Sequence, residues 1–114
     1  MEKKVRQTYL YDFYGDLLTE HQQNIYQAFV LEDLSISEIA EEEGISRQGV
    51  HDLVKRCDKI LEGYEQKLHL LERFLKNREK IIKIRDLSKD CQGKDQTQRM
   101  AEIEAISNEI LEEL

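Results

Sequence analysis

Proline and tryptophan are both absent from this chain. Without proline, no ring or missing N–H forces a helix to stop. Glycine is scarce too, five residues in 114. With charged residues at 36% and apolar residues at 39%, this mix favours long helices with solvated faces over a sheet. The two cysteines, Cys57 and Cys91, sit in no paired motif. That excludes a disulfide scaffold and reads as a cytoplasmic protein with reduced thiols. No apolar run approaches the roughly 20 residues that cross a bilayer. The opening segment MEKKVRQTYLYDFYG lacks the apolar stretch of a secretion signal. Sites for chemistry are missing as well. His21, His51 and His69 stand far apart, and no HxxxH, CxxC or HExxH spacing occurs, so no metal site is expected. There is no glycine-rich phosphate loop, and Glu41, Glu42 and Glu43 form a charge run, not a catalytic pair. Neither enzymatic activity nor a cofactor is expected.

What is present is charge, unevenly placed. The net charge of −7 argues against indiscriminate binding to nucleic acid. Residues Glu32–Glu43 hold six acids and no base. Arg73–Lys89 hold seven bases against Glu79 and Asp86. Met100–Leu114 hold five acids and no base. A basic helix followed by an acidic one can pair within a chain or between two chains. The basic run can also follow a nucleic-acid backbone, but a solvated face paired with the acidic tail is the favoured reading.

The most informative stretch is SISEIAEEEGISRQGVHDLVK, Ser35 to Lys55. It reads as two short helices around a tight turn. Ile39 and Ala40 face inward on the first, Gly44 supplies the turn and Ile45 plugs the corner. Ser46 opens a second helix with Val50, Leu53 and Val54 inward. That is helix-turn-helix spacing, in which the second helix can enter a DNA major groove. Gly44 fits because a chain reversal often needs positive φ. Glu43 occupies a usually apolar position, so either the corner is open or Glu43 turns to solvent.

Around this motif, a first helix is expected over Lys3–Tyr14, with Val5, Tyr9, Leu10, Phe13 and Leu17 as its apolar stripe and Gly15 as its stop. Tyr9, Tyr11 and Tyr14 offer a stacking surface or core packing; packing is favoured because Tyr9 lies on the stripe. Thr19 with Gln22, and Ser35 with Glu38, form capping boxes that open two further helices. Ile25, Tyr26, Phe29 and Val30 line the inner face of the first of these. From Arg47 to about Lys89, one long helix or two nearly continuous ones are expected, with Gly63 as a bend or a weak point. Asp90–Gln96 reads as a loop. Asp95 with Gln98 opens a last helix, with Ile103, Ile106, Ile110 and Leu114 as its apolar face.

The fold expected is all-α: a helix-turn-helix headpiece over residues 1–62 and a long helical extension over residues 63–114. The headpiece can cover only part of the long helix. Leaving Phe74, Leu75, Ile81 and Ile82 in water would forgo about 1.5–3 kcal/mol each, so a homodimer through the extension is expected. Arg78 and Arg85 interrupt the stripe, which argues against a regular coiled coil.

The candidate nucleic-acid contacts are Ser46, Arg47, Gln48, His51, Lys55, Arg56 and Lys59. Arg47 and Gln48 stand at the start of the helix, where base edges are read; Arg suits guanine and Gln suits adenine. Lys55, Arg56 and Lys59 suit phosphates, and Ser46 can serve as both cap and phosphate contact. Asp52 and Asp58 oppose this reading, since surface acids repel phosphate.

The residues carry a resemblance. Leu17 to Lys67, with LT-x-x-Q and then EIA-x-x-x-GIS, resembles the C-terminal DNA-binding region of bacterial sigma factors, which reads the −35 promoter element. VLEDLS (Val30–Ser35), EIAEE (Glu38–Glu42), SRQ-x-V (Ser46–Val50) and YEQKLHL (Tyr64–Leu70) are more closely similar to the YlxM family, a helix-turn-helix group associated with the signal recognition particle operon of Gram-positive bacteria. The resemblance reaches to about Leu87. It implies a sigma-like headpiece, with Arg47, Gln48, His51 and Lys55 at recognition-helix positions. It also implies a connection to signal recognition particle components, as a regulator binding DNA or RNA. The alternative from another class is an acidic helical adaptor that binds the particle's proteins without reading nucleic acid. The sequence departs from the pattern at Glu43 and Gly49.

Overall fold

The computed structural model describes residues 1–89 and 95–113. Among these, six helices follow one another: α1 (Lys3–Tyr14), α2 (Glu20–Val30), α3 (Ile36–Glu43), α4 (Arg47–Leu68), α5 (Leu70–Lys89) and α6 (Gln96–Glu113). No strand occurs among the described residues. Cys91 and most of the expected Asp90–Gln96 loop lie outside them.

Local chemistry sets the starts of α2, α3 and α4. The Thr19 side chain accepts from the Gln22 N–H while the Gln22 side chain accepts from the Thr19 N–H. Ser35 and Glu38 repeat the arrangement at α3. These reciprocal pairs satisfy donors that the helix itself leaves orphaned. Gly15 does not stop α1 by reversing the chain. It keeps helical angles, φ −57° and ψ −33°, and runs into a 3-10 turn over Gly15–Leu17. Its lack of a side chain matters instead, because a Cβ there would lie 2.9 Å from the Tyr11 ring.

Two compact units result, Met1–Leu71 and Glu72 onward. In the first, α4 is the central element, packed against α1, α2 and α3. Ile25, Tyr26, Val50, Cys57 and Leu61 have no solvent exposure. Burial pushes the Cys57 thiol up to about 11, so at neutral pH it stays protonated and unreactive.

The inner face of α1 differs from the apolar stripe. Val5, Phe13 and Leu17 are 42%, 36% and 57% exposed, while Gln7, Leu10 and Tyr14 are buried. The reason lies on α4, which presents Asp58, Glu62 and Glu65 one turn apart. The Gln7 amide donates to Asp58 at 2.9 Å. The Arg6 guanidinium grips both carboxylate oxygens of Glu62, at 2.6 and 2.8 Å. The Tyr14 hydroxyl donates to Glu65 at 2.6 Å. Partly polar helices therefore meet through matched donors and acceptors, the condition under which burying polar groups is tolerated. Tyr14 also stacks on Tyr64, 5.9 Å between centroids. It is a core residue, not part of a stacking surface.

A single residue, His69, separates α4 from α5. It adopts the left-handed conformation, φ 57° and ψ 28°, while Gly63 stays within α4. The break is capped from a distance: Glu65 accepts from the Leu71 N–H at 2.9 Å and the Tyr14 hydroxyl from the Leu70 N–H at 3.2 Å.

The Arg6–Glu62 pair has a pH consequence. The Arg6 hydrogen bonds hold the Glu62 carboxyl below its usual range. A carboxyl lowered in the folded state adds stability at pH above the ordinary glutamate value, and that stability disappears as pH falls through the folded value. Both side chains are more than a third exposed, so the contribution is at most about 1 kcal/mol. Arg6→Met is expected to flatten the acid limb of a stability-against-pH curve below about pH 5, measured by urea titration. A curve parallel to that of the unaltered protein would reject the assignment.

In the second unit, the later part of α5 pairs with α6. Lys80 reaches Glu109 at 3.7 Å and Glu113 at 3.6 Å. Ile106 is the one described residue of this unit in the buried class.

Candidate nucleic-acid interface

Three residues, Gly44, Ile45 and Ser46, make the corner between α3 and α4. Gly44 has φ 68° and ψ 31°, and both its N–H and that of Ile45 donate to the Ala40 carbonyl, the latter at 3.2 Å. No atom lies within 4 Å of where a Gly44 Cβ would stand, so the requirement there is conformational. Gly44→Ala is expected to cost about 1–2 kcal/mol with helix content unchanged, read from the thermal midpoint by circular dichroism. Glu43 is exposed, turned to solvent. Ile45 is 36% exposed, so it covers the corner without filling it; Ile39 and Ala40 do the sealing.

Ser46 caps α4, its Oγ accepting from the Gly49 N–H at 2.9 Å. A Cβ on Gly49 would lie 3.1 Å from that oxygen. Gly49 thus sits directly over the cap, where a side chain would be a tight neighbour.

Beyond the cap, Arg47, Gln48, Lys55, Arg56 and Lys59 are exposed and His51 is half-buried. Inward, Val50 and Val54 seal α4 onto the core. Asp52 shares the outer ridge and takes an N–H of Gln48 at 2.9 Å. It also lies 3.8 Å from His51 Nδ1, which has no hydrogen-bond partner among the described residues. Arg56 and Lys59 belong to the ridge. His51 and Lys55 turn toward a groove.

That groove, about 330 Å³, runs between the start of α1 and the exposed side of α4. Its apolar floor includes Phe29, Ile36 and Val54, and Lys3, Lys4, His51 and Lys55 line it with Glu2 and Asp58. Lys4 pairs with Asp33 and lies 5.5 Å from the Phe29 ring centroid. Asp58 is held by the Tyr26 hydroxyl at 2.6 Å and by Gln7. Lys3 and Lys55 form no ion pair among the described residues. Sequence reasoning missed Lys3, Lys4 and Phe29 as neighbours of the motif. Their only signal was the Lys-Lys pair at the start of the chain, which no spacing connects to α4.

Among the described residues, no three His, Cys, Asp or Glu side chains cluster as a metal site, and no helix is long and apolar enough to cross a membrane. Residues 1–103 match the UPF0122 family, described as "Putative helix-turn-helix protein, YlxM / p13 like". The chain belongs to the UPF0122 family. The YlxM protein of Bacillus subtilis is 42% identical over 106 residues, 93% of this chain and 94% of that one. A UPF0122 protein of Bacillus velezensis is 39% identical over 90% of this chain and 93% of its own. A third, from Shouchella clausii, is 47% identical over 75% of this chain and 78% of its own. The UPF0122 match spans the whole α1–α5 region in which the corner and the groove are built, and enters α6.

Proposed function

We propose that this UPF0122 protein is a cytoplasmic nucleic-acid-binding regulator that acts as a homodimer and is connected with signal recognition particle components. The carrying observation is α4 itself. Its inner face is sealed while Arg47, Gln48, Lys55, Arg56 and Lys59 project from a capped, rigidly oriented start. On this reading Ser46, Arg47 and Gln48 meet base edges and the nearest phosphate, and His51 and Lys55, with Lys3 across the groove, meet the backbone. The link to the signal recognition particle comes from the family resemblance alone.

Fluorescence anisotropy with labelled duplex DNA and RNA across a salt series tests the reading. Arg47→Ala is expected to weaken binding by about 1–3 kcal/mol and relax sequence preference; Lys55→Ala is expected to weaken all sequences alike and reduce the salt slope by about 1. Binding absent throughout, or indifferent to salt and to both changes, would sink it.

A second reading is favoured by Asp52, whose carboxylate engages Gln48 and stands beside His51. On that reading the motif is a scaffold and the chain is an acidic adaptor for proteins of the particle. Capture of partners from extract that survives nuclease and Arg47→Ala, but fails on charge reversal at Lys80 and Lys83, would select it.

A further inference from the structure

The acids of the motif stand where a duplex would have to pass. In helix-turn-helix docking the first helix of the pair crosses the nucleic-acid backbone while the second enters the major groove. Here the first helix is α3, and its Glu38, Glu41, Glu42 and Glu43 are all exposed. No Lys or Arg occurs from Glu32 to Glu43. A duplex laid on α4 in that way brings its phosphates against these carboxylates, and like charge at close range opposes association. On the outer ridge of α4, Asp52 adds a further carboxylate and holds the Gln48 amide at 2.9 Å.

The available cations lie toward α1 instead. Arg47, His51 and Lys55 recur at i, i+4 and i+8, one side of α4, and His51 and Lys55 line the groove that Lys3 also borders. Neither Lys3 nor Lys55 has an ion-pair partner among the described residues, so both are open to phosphate; Lys4 is held by Asp33. Two acids share the rim. Asp58 accepts from the Tyr26 hydroxyl and the Gln7 amide, and Glu2 is exposed. Between the rims the floor is apolar, built on Phe29, Ile36 and Val54. At about 330 Å³ the groove belongs with the smaller ligand clefts. It has room for one base with its sugar, and not for a double helix.

Cations along a track, beside an apolar floor that includes an aromatic ring, are the two parts of a single-strand site. A duplex could fill this groove only by extruding a base, at the expense of unpairing and unstacking it. A single strand presents its bases free. We propose that the nucleic acid this protein takes is single-stranded, its backbone passing Lys3 and Lys55 and one base lying against Phe29, Ile36 and Val54. This rests on the nucleic-acid reading above and names its substrate class.

Fluorescence anisotropy tests it with a labelled strand of about a dozen nucleotides, made as DNA and as RNA, each alone and paired with its complement. An abasic sugar-phosphate strand of the same length is the further probe. The tighter-binding of the two single strands is expected to exceed its own duplex by at least about fivefold, and the abasic strand by at least about fivefold, the lower bound for one stacked base. Lys3→Ala lies outside the motif at an exposed position, and circular dichroism confirms that the variant keeps its helices. It is expected to reduce the single-strand salt slope by about 0.7, the share of one phosphate. Duplex bound as tightly as the single strand overturns this inference while the nucleic-acid reading stands. So does an abasic strand bound as well as one with bases, or a salt slope that Lys3→Ala leaves unchanged. Failure to bind any of the probes overturns this inference and the nucleic-acid reading together.

Discussion

Glu65→Ala is expected to lower the stability of the first unit by about 2–5 kcal/mol. The size follows from what Glu65 holds. Its side chain is buried, at 6% exposure, and one oxygen accepts from the Tyr14 hydroxyl and from the Leu71 N–H. Alanine leaves two donors unsatisfied away from water, at about 1–3 kcal/mol each. It also removes the cap that lets α5 begin one residue after α4 ends. Glu65→Gln keeps an acceptor and is expected to cost less. Urea denaturation followed by circular dichroism measures both. A loss under about 0.5 kcal/mol for Glu65→Ala would show that the break at His69 does not depend on the cap. The same cluster governs alkaline behaviour. Burial and the Glu65 hydrogen bond push the Tyr14 hydroxyl up to about 12. Stability from a group raised in the fold is intact below the unfolded tyrosine value, about 10, and is lost as pH climbs from there to the folded value. Tyr14→Phe is expected to shrink that alkaline loss while lowering stability at neutral pH.

Asp58 couples stability to the interface with opposite signs. One carboxylate oxygen takes both the Tyr26 hydroxyl and the Gln7 amide, and Asp58 also lines the groove with Lys3 and Lys55. Asp58→Ala is expected to cost about 2–4 kcal/mol, because Tyr26 is fully buried and would lose its acceptor. Asp58→Asn retains an acceptor and removes a negative charge from the groove. It is expected to lose about 1 kcal/mol of stability yet bind nucleic acid more tightly, with a steeper salt dependence. Tighter binding by a less stable protein is an outcome that general damage does not produce. Unchanged affinity in Asp58→Asn would exclude the groove from the interface.

Local signals were easy to read and long-range ones were not. Thr19 with Gln22, Ser35 with Glu38, and Gly44 announce α2, α3 and the corner because every partner lies within a few residues. The inner face of α1 escaped notice because Arg6 and Gln7 look like solvated residues until Asp58 and Glu62 are brought opposite them. Val5 and Phe13 look like core by composition and are displaced by that polar match. The helix break was sought at Gly63, the weak helix former, and lies at His69, where Tyr14 supplies a cap no local pattern reveals. In the candidate interface, the exposed row from Arg47 to Lys59 followed from helical spacing. The groove did not, since Lys3 and Phe29 arrive from separate helices.

The ties between α1 and α4 have a temporal consequence. Arg6 meets Glu62 across 56 positions, and Gln7 meets Asp58 across 51. At translation rates of about 5–20 residues per second, α1 leaves the ribosome several seconds before its counterparts exist. During that interval its polar inner side is satisfied by water, which spares the nascent chain a sticky N-terminal segment. The same delay leaves the Arg6 and Gln7 ties to form only after α4 has been made, so a chain truncated before Asp58 lacks both of them.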